Sequence, residues 1–123
     1  MPENEKNITD SILNSVKKML GLEPDNTEFD PDVIININSA FFTLSQLGVG
    51  PECGFNIEDD SSTYHDYLGD QPQLIHPVKM YLYDKTRLGF DISSTSASVK
   101  DQIKDEIREL EWRMMAQVEF SKK

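Results

Sequence analysis

The sequence predicts an all-α protein, a small bundle of four main helices with one further short helix. Apolar residues recur three and four positions apart over four long segments, which is the period of an α-helix. Capping residues and glycines stand at the ends of those segments. There is no internal repeat and no convincing βαβ pattern. The four main helices are predicted at about 9–20, 31–47, 73–90 and 96–119, and the short helix near 63–68.

The length and composition fit a single domain. At 123 residues the chain is long enough to bury roughly two thirds of its unfolded surface. Its 37% hydrophobic and 28% charged residues are typical of a soluble globular protein. We expect one domain over residues 1–123, with residues 1–7 and 120–123 as flexible ends.

No segment predicts a membrane span or a disulfide framework. The apolar runs are shorter than the roughly 18 residues that a span needs, and the acidic, polar N-terminus does not resemble a secretory signal. The single cysteine, Cys53, excludes an intramolecular disulfide and a cysteine zinc site. These features favour a chain that is made and assembled inside a cell.

The negative charge is concentrated in the first two thirds of the chain. Residues 1–83 contain fourteen Asp or Glu against four Lys, a net charge of −10, whereas residues 84–123 contain eight of each sign. Because an acidic chain repels nucleic-acid phosphates, tight DNA binding is not expected. The charge is compatible with a basic protein partner and with a pore wall along which DNA slides; charge alone favours a plain soluble surface.

The first predicted helix runs from Ile8 to Leu20. Thr9 or Asp10 can cap its start, and Gly21 is a good stop. Its apolar residues recur on one face and should pack on the core.

The second predicted helix opens with Asp30 as the cap and Pro31 at the first helical position, and Gly48 closes it. Its β-branched residues alone would suit a strand, but the wider spacing places one apolar sector on a helix: Val33, Ile34, Ile37, Ala40, Phe41, Leu44 and Leu47. Ile35 and Phe42 lie on the far side. We therefore expect a central core helix that is covered on both faces.

Residues 48–62 are predicted to form a loop that precedes the short helix. Three apolar side chains should pin this loop to the core: Val49, Phe55 and Ile57. Ser62 can cap the short helix. His65 beside Asp66 has the composition of a catalytic pair, but neighbours on a helix point about 100° apart, and no nucleophile is placed to complete the pair.

The third predicted helix has a start that two prolines complicate. It begins between Pro72 and Pro77, and Pro77 requires either a kink or a start at His76. Its core face consists of Leu74, Ile75, Val78, Tyr81, Leu82 and Leu88. A second, partly apolar side carries Met80, Tyr83 and Arg87.

The final predicted helix is apolar on two sides. Ser96 or Ser98 can cap it, and its core face consists of Val99, Ile103, Ile107, Leu110, Met114 and Val118. A second group gathers on the opposite side of the C-terminal half: Trp112, Met115, Ala116 and Phe120. The helix is either sandwiched within the subunit, with Trp112 covered by the first helix or the 49–68 loop, or in contact with something outside the subunit.

Several segments, taken in order, resemble the small head–tail connector (adaptor) proteins of tailed bacteriophages. The opening SILNSVKKMLGLEPDNTEFDPDVIININSAFFTLSQLGVGP is similar to their first two helices, PVKMYLYDKTRLGFD to the next, and DQIKDEIRELEWRM to the last. The resemblance covers about residues 9–118. Gly89 departs from it, because these proteins usually carry a leucine there, and a glycine weakens a helix by up to about 1 kcal/mol.

The resemblance implies a structural virion protein. Connectors of this kind form a ring, usually of about twelve copies, under the portal protein; a ring contact is heterologous and needs two different lateral surfaces. The ring extends the DNA channel, through which DNA passes without specific binding, and docks the next neck or tail-completion protein. It implies a place in the phage neck, assembly in the host bacterial cytoplasm, and no membrane. The implied subunit or portal interface consists of Met80, Tyr83, Arg87, Trp112, Arg113, Met115, Phe120, Lys122 and Lys123.

Two other classes of function are weighed against this one. An acidic helical regulator or DNA mimic that binds a basic partner would fit the charge. A small hydrolase or metal enzyme is disfavoured, because the sequence shows no phosphate loop, zinc spacing or catalytic triad signature. We therefore expect no enzyme activity, no cofactor and no metal.

Overall fold

The computed structural model describes residues 10–69, 71–90 and 96–121. Within these ranges the protein is all-α, as predicted. Its helices are α1 (Ile12–Met19), α2 (Asp30–Gln46), α3 (Tyr64–Leu68), α4 (Ile75–Phe90) and α5 (Ala97–Ser121), and a 3-10 turn at Pro72–Leu74 leads into α4. Ile8, Thr9, the expected flexible segment 1–7, and Lys122 and Lys123 lie outside the described residues.

α4 is the central helix of the bundle, since it packs against α1, α2 and α5. The prediction that the 31–47 helix is central and covered on both faces is wrong. Ile35 and Phe42, on the outer side of α2, are each 66% exposed. The predicted core sector of α2 is nevertheless confirmed, with its members buried or packed against the core.

α1 and α3 both begin later than predicted, because the segments before them pair with each other. Ser11 and Thr63 form an isolated antiparallel bridge, and the Ile12 amide donates to the Ser62 carbonyl at 3.0 Å. The backbone therefore stays extended up to these two residues. Each one caps its helix, so the predicted caps at Thr9 or Asp10 and at Ser62 are replaced by Ser11 and Thr63.

The glycine stops of α1 and α2 are confirmed. Gly21 and Gly48 adopt φ values of +82° and +86°, which glycine accepts without a steric penalty. After α1 the Leu22 amide donates back to the Lys17 carbonyl at 2.8 Å. The same closing bond follows α2. These bonds satisfy carbonyls that the helix ends would otherwise leave without a donor.

Asp30 is the first residue of α2 and not its cap. No side-chain hydrogen bond caps this helix, and Pro31 occupies the second position. The Asp30 carboxylate instead lies 2.8 Å from the Lys17 ammonium, which is only 1% exposed. Lys17 also donates to the Pro24 carbonyl at 2.9 Å. This buried ion pair ties the end of α1 to the start of α2.

The loop after α2 is anchored as predicted. Val49 and Ile57 are buried, and Phe55 packs at 5.3 Å, ring centre to ring centre, against Phe41. The Asn38 side chain adds a polar clasp, because its Oδ1 accepts from the Ile57 amide at 2.8 Å and its Nδ2 donates to the Ile57 carbonyl at 3.0 Å.

α4 begins at Ile75, one residue before the alternative start at His76, and its predicted core face is buried or packed against the core. Pro77 is the third residue of the helix. The amide of that position has no acceptor within the helix, so the missing N–H of proline costs nothing there.

α5 begins after Ser96, whose Oγ accepts from the Val99 amide at 3.3 Å, so the first of the two predicted caps is the one used. Met114, Ile103 and Ile107 on its core face are buried, but Val99 is 43% exposed. The prediction of Val99 as a core residue is wrong, because α5 has 25 residues against 16 in α4 and overhangs it.

Candidate interaction surfaces

The C-terminal half of α5 exposes three large apolar side chains on the side away from the core. Trp112 is 65% exposed, Phe120 75% and Met115 41%. We call these three residues the α5 outer face. The alternative in which α1 or the 49–68 loop covers Trp112 within the subunit is wrong. Exposed side chains of this size are a common feature of surfaces that bind another protein.

A shallow groove of about 420 Å³ lies beside this face, between the start of α4 and the last turns of α5. Met80 and Arg113 both line it, so the structure brings these two predicted interface residues together. The Arg113 guanidinium donates to the Glu109 carboxylate at 2.6 Å and is 67% exposed. A partner entering the groove would therefore meet an apolar floor with a cation at its edge.

Tyr83 and Arg87 are engaged mainly within the subunit. The Arg87 guanidinium carbon lies 4.5 Å from the centre of the Tyr83 ring. Its nitrogen is 2.8 Å from the Asp84 carboxylate and 3.9 Å from that of Glu106 on α5. Arg87 keeps 30% of its side chain exposed. The contact between Arg87 and Glu106 joins α4 to α5. The predicted interface role of Tyr83 and Arg87 stays a prediction.

Asp84 is a fully buried carboxyl group at the α4–α5 contact. Burial and, to a lesser extent, the negative charge of Glu106 raise the pKa of Asp84 to about 6, although Arg87 acts in the opposite direction. The Tyr81 hydroxyl donates to the Glu111 carboxylate at 2.6 Å across the same contact. The packing of α5 on α4 thus depends on a polar cluster as well as on apolar residues.

A second exposed apolar surface lies on α2. Ile35 and Phe42 are each 66% exposed and stand seven residues apart, two helical turns, on one side of the helix. We call these two residues the α2 stripe. Asp32 precedes it by one turn, and α2 carries no charged residue after Asp32. The sequence pattern had separated these two residues from the core face, but it had not shown that they stay exposed among the residues that the structure describes.

The surface formed by the loops is strongly acidic. Residues 19–78 contain eleven Asp or Glu and no Lys or Arg. Most of these carboxylates are exposed, in the segments that precede α2 and α3 or in the first turns of those helices: Glu23, Asp25, Glu28, Asp32, Glu52, Glu58, Asp59, Asp60 and Asp66. Because Lys17 is buried in its pair with Asp30, it does not neutralise this surface.

The described ranges contain no group of three or more His, Cys, Asp or Glu side chains placed to hold a metal ion. The Asp66 carboxylate accepts from the Thr63 amide at 2.9 Å, so it serves as part of a capping box. Of the helices described, none combines the length and the apolar character required to cross a membrane.

These features define a helical assembly protein, a small bundle that leaves apolar faces on two of its helices. A family model described as phage connector protein matches residues 12–121, which include all five helices. The chain belongs to this family, as the resemblance in the sequence indicated, and has the role of a phage head–tail connector. The family is structural and not catalytic. Neither a curated protein nor a solved structure matches the chain significantly.

Proposed function

We propose that this connector assembles as a ring beneath the portal of a DNA-filled capsid, extends the DNA channel, and docks the next neck or tail component. The observation that carries the proposal is the α5 outer face. A monomer gains nothing from exposing Trp112 and Phe120 to water, whereas burying a large aromatic side chain at an interface stabilises the complex.

The interface we propose is the set predicted from the sequence, with the α5 outer face at its centre. Met80 and Arg113 adjoin this face through their groove. Tyr83 and Arg87 contribute the part of their side chains that remains exposed. Lys122 and Lys123, which follow α5 in the sequence, belong to the proposed interface because the resemblance implies it.

The acidic surface supports the proposed passage of DNA. Carboxylates on a channel wall repel phosphates, so DNA can move past them without being held. Residues 19–78, which lack Lys and Arg, are the part of the chain best suited to face the channel. The ring acts in the neck of the virion, after assembly in the host cytoplasm.

Substitution of the α5 outer face tests the proposal. Trp112→Ala and Met115→Ala should change the free energy of unfolding by less than about 0.5 kcal/mol, since both side chains are exposed. Each should reduce binding to the phage's own portal protein. Ile107→Ala is the matched core control on the same helix and should cost a few kcal/mol of stability, about 2–5. Loss of folding in Trp112→Ala, or unchanged portal binding, would contradict the proposal.

Deletion of residues 119–123 examines the C-terminal end separately. The shortened chain should keep the thermal midpoint of the full chain and bind the portal more weakly. Unchanged binding would remove Phe120, Lys122 and Lys123 from the interface and leave Trp112 and Met115 in it.

The acidic surface also favours a second candidate, a regulator or DNA mimic that binds a basic protein. Such a protein would act as a monomer or dimer through its carboxylates, and salt would weaken its binding. Binding to the portal that survives high salt but is lost in Trp112→Ala would support the connector ring over this alternative.

A further inference from the structure

The two exposed apolar surfaces lie on different helices of the subunit. The α2 stripe and the α5 outer face lie on helices that both pack on α4 and make little contact with each other. They are also unlike in chemistry, because the α2 stripe continues into uncharged residues, whereas Arg108, Glu109 and Glu119 surround the α5 outer face. A partner that covered the α2 stripe alone would leave the α5 outer face exposed, and the reverse also holds.

We propose that the α2 stripe of one subunit packs against the α5 outer face of a second copy of this chain. This inference rests on the proposed ring and names its lateral contact. A ring requires a heterologous contact, in which two different patches of the same subunit meet. Pairing these surfaces buries both at every contact around the ring.

The spacing and the charges of the two helices match when they run parallel. At 1.5 Å per residue, Ile35 and Phe42 stand about 10 Å apart, and Trp112 and Phe120 about 12 Å apart. Parallel packing sets Ile35 opposite Trp112 and Phe42 opposite Phe120.

The charges are compatible with this direction. In the parallel arrangement Asp32, one turn before Ile35, lies near Arg108, one turn before Trp112. Arg108 is 73% exposed and pairs with the exposed Asp105 at 3.1 Å, and its guanidinium has further donors for a second carboxylate.

The contact area predicts weak association in free solution. A buried aromatic side chain contributes about 150–250 Å², and the five apolar residues, already partly covered, would together bury roughly 500 Å². Stable protein interfaces bury about 1,200–2,000 Å². The apolar contact is thus the centre of an interface that becomes strong when a ring closes or a portal holds the subunits side by side.

Disulfide trapping detects such a weak contact when one cysteine is placed within each of the two apolar surfaces. In a Cys53→Ser background, a Ser39→Cys chain is mixed with an Ala116→Cys chain at high concentration, on the order of 1 mM. Ser39 and Ala116 are both exposed, Ser39 within the α2 stripe and Ala116 within the α5 outer face. Both substitutions leave the large apolar side chains of the two surfaces unchanged. We expect a rapid cross-link between the two chains. The exposed His65→Cys on α3, mixed with the same Ala116→Cys chain, is the control. Equal yields in the two mixtures would overturn the proposal.

Blocking one surface on each chain tests whether the contact joins the α2 stripe of one chain to the α5 outer face of the other. A Phe42→Asp, Ala116→Cys chain keeps its α5 outer face, and a Trp112→Asp, Ser39→Cys chain keeps its α2 stripe, so this mixture should still cross-link. In the exchanged mixture, the Phe42→Asp chain carries Ser39→Cys and the Trp112→Asp chain carries Ala116→Cys. Each cysteine then lies within the surface that its own chain has lost. The yield should then fall at least tenfold, although the substitutions present are the same. Equal yields, or cross-links only between identical chains, would contradict a heterologous contact.

Portal binding separates this inference from the proposed function. If Trp112→Ala abolishes portal binding while the Ser39–Ala116 cross-link never exceeds its control, the α5 outer face contacts the portal and the lateral contact proposed here is wrong. If the cross-link forms and portal binding is absent, the chain self-associates by this contact and the docking proposal is wrong.

Discussion

Protonation of the buried Asp84 should make the stability of the protein depend on pH. The pKa of this carboxyl group rises from 3.8 to about 6 in the folded protein. A group whose pKa is raised by folding stabilises the fold most when it is protonated. The contribution is therefore fully present below about pH 4 and is lost as the pH rises through about 6.

The shift of about two pH units corresponds to a change on the order of 3 kcal/mol, since one unit is worth about 1.4 kcal/mol. Asp84→Asn removes the titration and keeps the shape of the side chain. Compared with wild type, this variant should gain relative stability of that order between pH 4 and pH 7. Urea unfolding at a series of pH values measures the difference.

Asp105→Asn is the control for the change in net charge, because this carboxylate is 75% exposed and belongs to the same pair of helices. It should leave most of the pH dependence of the wild type in place. If the difference between wild type and Asp84→Asn were flat with pH, or if it changed in the opposite direction, the account of Asp84 as a carboxyl destabilised by burial beside Glu106 would be refuted.

Two further predictions concern stability. Lys17→Ala should destabilise the fold by about 3 kcal/mol in urea unfolding, because it leaves Asp30 without its buried partner. Lys17→Met keeps the packing of the stem but also removes the charge, so it should cost nearly as much; a loss close to zero in Lys17→Met would show that the charge contributes little. Gly89→Ala should gain nothing alone, because a Cβ there would overlap Asn36 Oδ1. In an Asn36→Ala background the same substitution should stabilise α4 by up to about 1 kcal/mol; additive effects in the thermal unfolding of the four chains would contradict this coupling.

The helices themselves were predictable because their signals are local. Apolar spacing, the glycines Gly21 and Gly48, and the cap at Ser96 act within a few residues of the chain. The start of α1 was predicted too early, because the extended bridge between Ser11 and Thr63 joins residues 52 positions apart, and no local pattern records it.

The centre of the bundle was assigned to the wrong helix for a related reason. Periodicity counts apolar residues as inward and charged ones as outward. In α4 the buried side includes Asp84 and Thr86, so α4 looked less central than it is. In α2 the apolar Ile35 and Phe42 looked like buried residues, although they face outward.

The candidate interface was visible in the sequence only in part. Trp112 stood out because it lies opposite a complete core face, and its exposure follows from that position. The engagement of Arg87 could be foreseen only in part: Tyr83 and Asp84 lie within one turn of it on the same helix, whereas Glu106 lies on another helix. Gly89, which seemed only to weaken α4, lets Asn36 of α2 lie against it.

The most direct test of the connector ring is the mass of the complex that the chain forms with the portal protein of its phage. Light scattering of the portal alone, of the 14.1 kDa chain alone and of their mixture gives the number of chains added. We expect the portal to gain one ring of chains, about one for each portal subunit, and the Trp112→Ala chain to add far fewer. A mixture that scatters as two separate species would contradict the central claim.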